Sequence, residues 1–223
     1  LEFRRVLFRS ELESADVAAF PAAHQRAELF RLRGLLLSRL GNAEAAYSAF
    51  NGAVSLCSTA PDAWLSWGEF CELTAASAAS GQPTPGARTP AFWMESAVVC
   101  YLTAVRYGGA AQRYRRYLCR VLAAAGSGGL AGQAAASALE KHGDGPPVWT
   151  WIPWVPQLLL SLDRPEAPFV RELLARISVG APQAVYYNLR SFVLEKRDVV
   201  GRTLQAARSA QAATASADGG TAP

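Results

Sequence analysis

The chain has 223 residues, 51% of them apolar and 18% charged, with a formal net charge of +4, a balance that gives a folded protein of one or two domains and excludes a disordered one. Alanine fills about a fifth of the positions and the basic residues are almost all arginine, Lys141 and Lys196 being the lysines; strand-length runs of Val, Ile and Thr do not recur, so the composition predicts an all-α fold. The most apolar stretch, Val148 to Leu162, is interrupted by Pro153 and Pro156 and is too short to cross a bilayer, so no membrane partner is expected.

Residues 1–20 are set apart as an N-terminal segment. Leu1 to Ser10 alternates Arg with bulky apolar residues and lacks a small-residue cleavage site, so it reads as a linker or assembly scar rather than a signal peptide. A helical-repeat region follows over residues 21–200. Its first helix runs from Pro21 to Leu40, with Leu29, Phe30, Leu32, Leu36, Leu37 and Leu40 recurring at steps of three and four. After the Gly41-Asn42 turn, Ala45, Ala46, Ala49, Phe50, Ala53 and Leu56 line one face of a second helix. So short a connection forces the two to lie antiparallel.

A third helix opens at Pro61-Asp62 and carries Trp64, Trp67, Phe70 and Cys71. Phe30, Gly34 and Leu37 correspond to Trp64, Gly68 and Cys71, each pair 34 positions apart, which is the tetratricopeptide period. Ala46, Phe50 and Ala53 correspond to Ala97, Tyr101 and Ala104 at an offset of 51, which the period accommodates if the Ser77 to Pro90 loop holds an insertion. The residue types meet one physical need. Gly34 and Gly68, helped by Ala46 and Ala97, let helices approach closely, and large rings fill the space beside them. One hairpin cannot bury its own apolar face, so hairpins must stack, and the architecture expected is an α-solenoid of antiparallel helical hairpins.

Further along, Tyr114, Tyr117, Leu118, Val121 and Leu122 form another stripe, and Ser127-Gly128-Gly129 turns into an Ala-rich helix ending near His142-Gly143. Helices are expected from about Trp151 to Leu162, Pro165 to Val179, and Pro182 to Arg197 or beyond, each starting near a proline. Residues 201–223 read as a helix end that decays from Ser209 into a low-complexity, mobile tail.

Catalytic chemistry is not apparent. Cys57, Cys71, Cys100 and Cys119 lack zinc-site or disulfide-scaffold spacing and read as core thiols in a reducing setting. His24 and His142 have no second ligand at helical spacing, and nothing resembles a phosphate loop, a dinucleotide fingerprint or a kinase catalytic loop. Glu69, Glu72 and Glu95 read as scattered carboxylates. No enzyme, metal or cofactor is therefore expected. One electrostatic feature stands out, because no acidic residue lies between Glu95 and Glu140 while Arg106, Arg113, Arg115, Arg116 and Arg120 all do. The plain reading is a solvated face. The sharper one is a dock for an acidic protein segment at Arg106, Arg113, Arg116 and Arg120, or for a nucleic-acid backbone, although direct nucleic-acid binding is not expected.

Trp151-Ile152-Pro153-Trp154-Val155-Pro156-Gln157-Leu158-Leu159, followed by Pro182-Gln183-Ala184-Val185-Tyr186-Tyr187, resembles the FAT domain of the phosphatidylinositol-3-kinase-related kinase family. Ala27 through Gly41 and Ala63 through Glu69 are similar to that domain too. The likeness extends from about His24 to Arg197. It implies a large helical scaffold around a C-terminal kinase-like domain, nearest to the branch in which that domain lacks catalytic residues. It further implies a nuclear subunit of SAGA-type histone acetyltransferase complexes, with sister subunits and transcription activators as partners. Trp151 and Trp154 read as packing devices. Two other readings stand beside this one: the same domain in an active kinase of the family, and an unrelated tetratricopeptide adaptor.

Overall fold

The computed structural model describes residues 17–81, 88–109, 111–164 and 166–218, and every regular element among them is helical. The α-helices are α1 (Ala23–Arg39), α2 (Ala43–Leu56), α3 (Pro61–Ser80), α4 (Pro90–Gly108), α5 (Gln112–Arg115), α6 (Tyr117–Ala125), α7 (Gly129–His142), α8 (Val155–Leu160), α9 (Ala167–Gly180) and α10 (Pro182–Asp218). Short 3-10 turns cover Val17–Ala19, Val148–Trp154 and Ser161–Asp163.

Local chemistry sets the boundaries. Gly41 adopts a φ of +79°, which a residue with a Cβ resists, and the Asn42 side chain accepts a hydrogen bond from the Ala45 amide at 3.2 Å. The chain thus reverses in three residues and starts α2 with a capped end. At α4, Thr89 accepts from the Phe92 amide at 3.2 Å and Pro90 occupies the first turn, where its missing N–H costs nothing.

The hairpins α1–α2 and α3–α4 are held by one repeated contact. A Cβ added to Gly34 would stand 2.8 Å from Cε1 of Phe50, and one added to Gly68 would stand 2.7 Å from Cε1 of Tyr101. Each ring therefore fills the space that a side chain on the facing helix would take. Ala46 and Ala97 are buried one turn away from those rings. The hairpins then stack. Tyr47 of α2 meets Trp67 of α3 at 5.2 Å and Trp93 of α4 at 5.7 Å, edge to face, while Phe50 meets Phe70 at 5.4 Å. Arg88 spans the same junction, 3.8 Å above the Tyr47 ring and 3.1 Å from the Glu44 carboxylate. Trp64 is half-buried and donates from Nε1 to the Ser58 carbonyl at 2.7 Å.

On the far side, α7 packs against α4 and α6, adding a layer. Val185, Leu189 and Phe192 then form the stripe by which the start of α10 joins the core, beside α8 and α9. The architecture is an all-α helical repeat with one continuous core.

Three boundaries differ from the sequence-based expectation. Residues 77–80 belong to α3 rather than to a loop, and residues 82–87 of that expected insertion lie outside the described residues, as do residues 1–16. The span from Trp151 to Leu162 is not one helix, but a 3-10 turn, the six-residue α8 and a second 3-10 turn. Pro153 and Pro156 explain this, since neither offers an N–H to the carbonyl four residues back. Helical backbone also continues from Ser209 to Asp218, through the stretch read as a tail.

The Gly68→Val variant should lose about 1–3 kcal/mol of stability by overpacking, well beyond the helix-propensity gain of about half a kcal/mol or less. Gly34→Val should behave alike. Chemical denaturation measures both, and an unchanged midpoint for either would contradict the close-approach account.

Candidate functional site

The polar residues that converge lie where side chains of α4, α5 and α6 reach α3. Asp62, Glu69 and Glu72 share one face of α3, and three tyrosine hydroxyls reach them. Tyr114 donates to Oδ1 of Asp62 at 2.9 Å, Tyr117 to Oε1 of Glu69 at 2.5 Å, and Tyr101 to Oε2 of Glu72 at 2.5 Å. Arginines complete the rungs. Arg113 donates from Nη2 to Oδ2 of Asp62 at 2.9 Å and also to the Tyr114 hydroxyl. Arg120 lies 2.9 Å from Oε2 of Glu72, and Arg116 donates to the Tyr117 hydroxyl at 3.1 Å. The same guanidiniums sit over the rings, Arg113 at 4.6 Å from the Tyr114 centroid and Arg116 at 5.1 Å from that of Tyr117.

The rungs are not equal. Arg113 and Asp62 have side chains 60% and 49% exposed, so water and salt screen that pair strongly. Glu72 is 30% exposed and takes a hydroxyl from a buried tyrosine, which makes its rung the firmer one. Burial first, then the bond to Glu72, pushes the Tyr101 phenol far above its ordinary value. Burial and the bonds to Asp62 and Glu69 raise Tyr114 and Tyr117 in the same direction.

The arginine row is therefore not a bare cationic patch. Arg113 and Arg120 are engaged by carboxylates of α3, and Arg116 is turned onto Tyr117. Arg106 lies apart in the last turn of α4, exposed, its Cδ 3.9 Å from where a Cβ on Gly145 would stand. It forms no ion pair among the described residues. Reading Glu69 and Glu72 as scattered carboxylates, and Asp62 only as a helix start, missed the ladder. Their offsets of seven and three on one helix, set against an acid-free run carrying five arginines, were the available signal.

Other residues singled out from the sequence act in packing. Trp151 is fully buried, its ring 6.0 Å from that of Phe169, and Trp154 is half-buried beside it. Burial pushes the Cys71 thiol up to about 12 and Cys100 well above its ordinary value, which makes both unreactive. His24 and His142 are exposed at opposite ends of their helices, α1 and α7. Among the described residues no three of His, Cys, Asp and Glu gather as a metal site would need, and no helix is long and apolar enough to cross a membrane.

A family model described as the FAT domain matches residues 13–123. The chain is 34% identical over 168 residues, 75% of its length, to the SAGA complex/NuA4 acetyltransferase complex subunit TRA1 of Saccharomyces cerevisiae. It is 32% identical over 183 residues, 82% of its length, to Transcription-associated protein 1 of Drosophila melanogaster. Against the Transformation/transcription domain-associated protein of Homo sapiens it is 30% identical over 183 residues. The chain spans 4% of the length of each of these relatives.

The ladder carries a pH signature. A phenol whose pKa is raised by folding holds its proton longer in the folded state, so its stabilisation is complete below the unfolded value of about 10 and is lost as pH climbs beyond it. Cys71 and Cys100 contribute with the same sign from about pH 8.5. Denaturation midpoints should therefore fall between about pH 8.5 and 11.5, and Tyr101→Phe should flatten the part of the slope above about pH 10. An unaltered slope in that variant would refute the assignment.

Proposed function

This chain belongs to the FAT-domain family, and from that premise we propose that it is a non-catalytic scaffold segment of a SAGA-type histone acetyltransferase subunit, acting in the nucleus. The carrying observation is the 34% identity, over three-quarters of the chain, to a protein whose name makes it a subunit of SAGA and NuA4 acetyltransferase complexes. The geometry supports a mechanical role. Its convergent polar groups bind one another between helices, and the thiols of Cys71 and Cys100 are buried. The partners proposed are acetyltransferase-complex subunits, transcription activators and the remainder of its own chain, including a kinase-like domain that lacks catalytic residues.

Within that role, the surface carrying Arg106, Arg113, Arg116 and Arg120 is proposed to receive an acidic protein segment. Arg106 and Arg116 are the ones to probe, because neither is paired with a carboxylate that a substitution would strand. Arg113 and Arg120 hold α5 and α6 to α3, so reversing their charge would disturb the fold as well.

Purified through a tag, the full-length protein should bring down histone acetyltransferase subunits. Arg106→Glu combined with Arg116→Glu should weaken capture of an acidic activator segment about tenfold while leaving the assembly intact, as loss of about 1.4 kcal/mol implies. Purification without any acetyltransferase subunit would overturn the scaffold reading. So would a downstream sequence that keeps the catalytic-loop and metal-binding aspartates of an active kinase.

A further inference from the structure

Between α2, α3 and α4 lies an open cavity of about 440 Å³. Its walls include the rings of Tyr47, Trp64, Trp67 and Phe92, and Glu95 is the one charged residue that lines it. Each helix contributes one face. Tyr47 and Asn51 are four apart on α2, Trp64 and Trp67 three apart on α3, and Glu95 and Ser96 follow Phe92 at offsets of three and four on α4. Glu95 is half-buried and forms no hydrogen bond or ion pair among the described residues, yet its carboxylate is not shut off from water. The Asn51 amide and the Ser96 hydroxyl are likewise without partners among the described residues.

The same rings already hold one guanidinium of this chain. Arg88 lies 3.8 Å above the centroid of Tyr47 and 5.0 Å from that of Phe92, with its Nη2 3.1 Å from the carboxylate of Glu44, one turn before Tyr47 on α2. The cavity runs from Tyr47 in the other direction along α2, past Asn51 to Val54, and no basic residue lines it. Aromatic faces and a carboxylate thus recur there without a cation of their own.

Such a surface favours a positive group that brings an apolar stem. The open acceptors call for N–H donors, and a guanidinium supplies five in a plane, pairs with a carboxylate through two parallel bonds and lies well on ring faces. Arg88 shows this combination on Tyr47 and Glu44. We propose that the cavity receives an arginine side chain of a partner protein, with Glu95 as the counter-charge and the half-buried rings of Tyr47, Trp64 and Phe92 as its walls. The proposal deepens the scaffold reading, since a scaffold would receive such a side chain. Its test needs no complex, so the two readings fail separately.

The experiment follows amide hydrogen exchange in the full-length protein with N-acetyl-arginine amide and, at the same millimolar concentration, with the neutral N-acetyl-citrulline amide and with N-acetyl-lysine amide. The arginine probe should slow exchange about threefold in α2 and the first half of α4, the effect of ligand at twice its dissociation constant. The citrulline probe should have no effect and the lysine probe a smaller one. Glu95→Gln should abolish the response while exchange in α7 and α9 stays as in the parent. Should that variant loosen α4, Asn51→Arg supplies the second check: it leaves Glu95 intact and should block the probe by placing a guanidinium of the chain itself in the cavity. No protection by the arginine probe, equal protection by either of the others, or a response that survives Glu95→Gln or Asn51→Arg overturns the proposal. So does a response that appears only in Arg88→Gln, which would assign the cavity to this chain's own arginine.

Discussion

The rest of the fold depends on how closely two helices approach when one carries no side chain at the crossing. Phe50 over Gly34 and Tyr101 over Gly68 set the spacing inside each hairpin, and the aromatic junction of Tyr47, Trp67, Phe70 and Trp93 then sets the spacing between them. A methyl group at either glycine would occupy space the ring already fills. The ring could yield only by pushing on neighbours that are themselves packed, because protein interiors have little slack.

Tyr101 joins this packing to the electrostatics. Its ring rests on Gly68 while its hydroxyl reaches Glu72, one turn along the same helix, and it lies 4.9 Å from the ring of Tyr117 on the next layer. The ladder of Asp62, Glu69 and Glu72 thus follows from the hairpin geometry. Only when α4 is seated on α3 do these tyrosines and arginines arrive at their carboxylates. A basic run that looks free along the chain becomes largely neutralised in three dimensions, and its pairs fasten a third helical layer to the second hairpin.

What could be read in advance was whatever repeats. The offsets of 34 and 51 exposed the glycines, the alanines and their rings, because the same packing problem is solved twice with the same residue types. Helices α1 to α4 and α7 were legible for a similar reason, as periodic stripes between turn residues. The ladder was not, since the pairs Asp62–Tyr114 and Glu69–Tyr117 are separated by 52 and 48 positions and depend on a crossing that no local pattern specifies. The region around Trp151 misled for the opposite reason. Its apolar spacing is helical, but Pro153 and Pro156 withhold the amides that a continuous helix requires. Glu95 carries no signal of its cavity in the sequence, because what a single carboxylate faces is decided by what packs around it.

The two hairpins share a backbone device yet differ by one oxygen atom. Where the second has Tyr101 reaching Glu72, the first has Phe50, and the position matching Glu72 is Ser38, too short to meet a hydroxyl even if one were there. Duplicated modules of this kind are not interchangeable bricks. A chimera built from two copies of the first hairpin would still nest ring on glycine, but it would lack the polar address that tells the following layer where to land, and neighbouring modules would be free to slide.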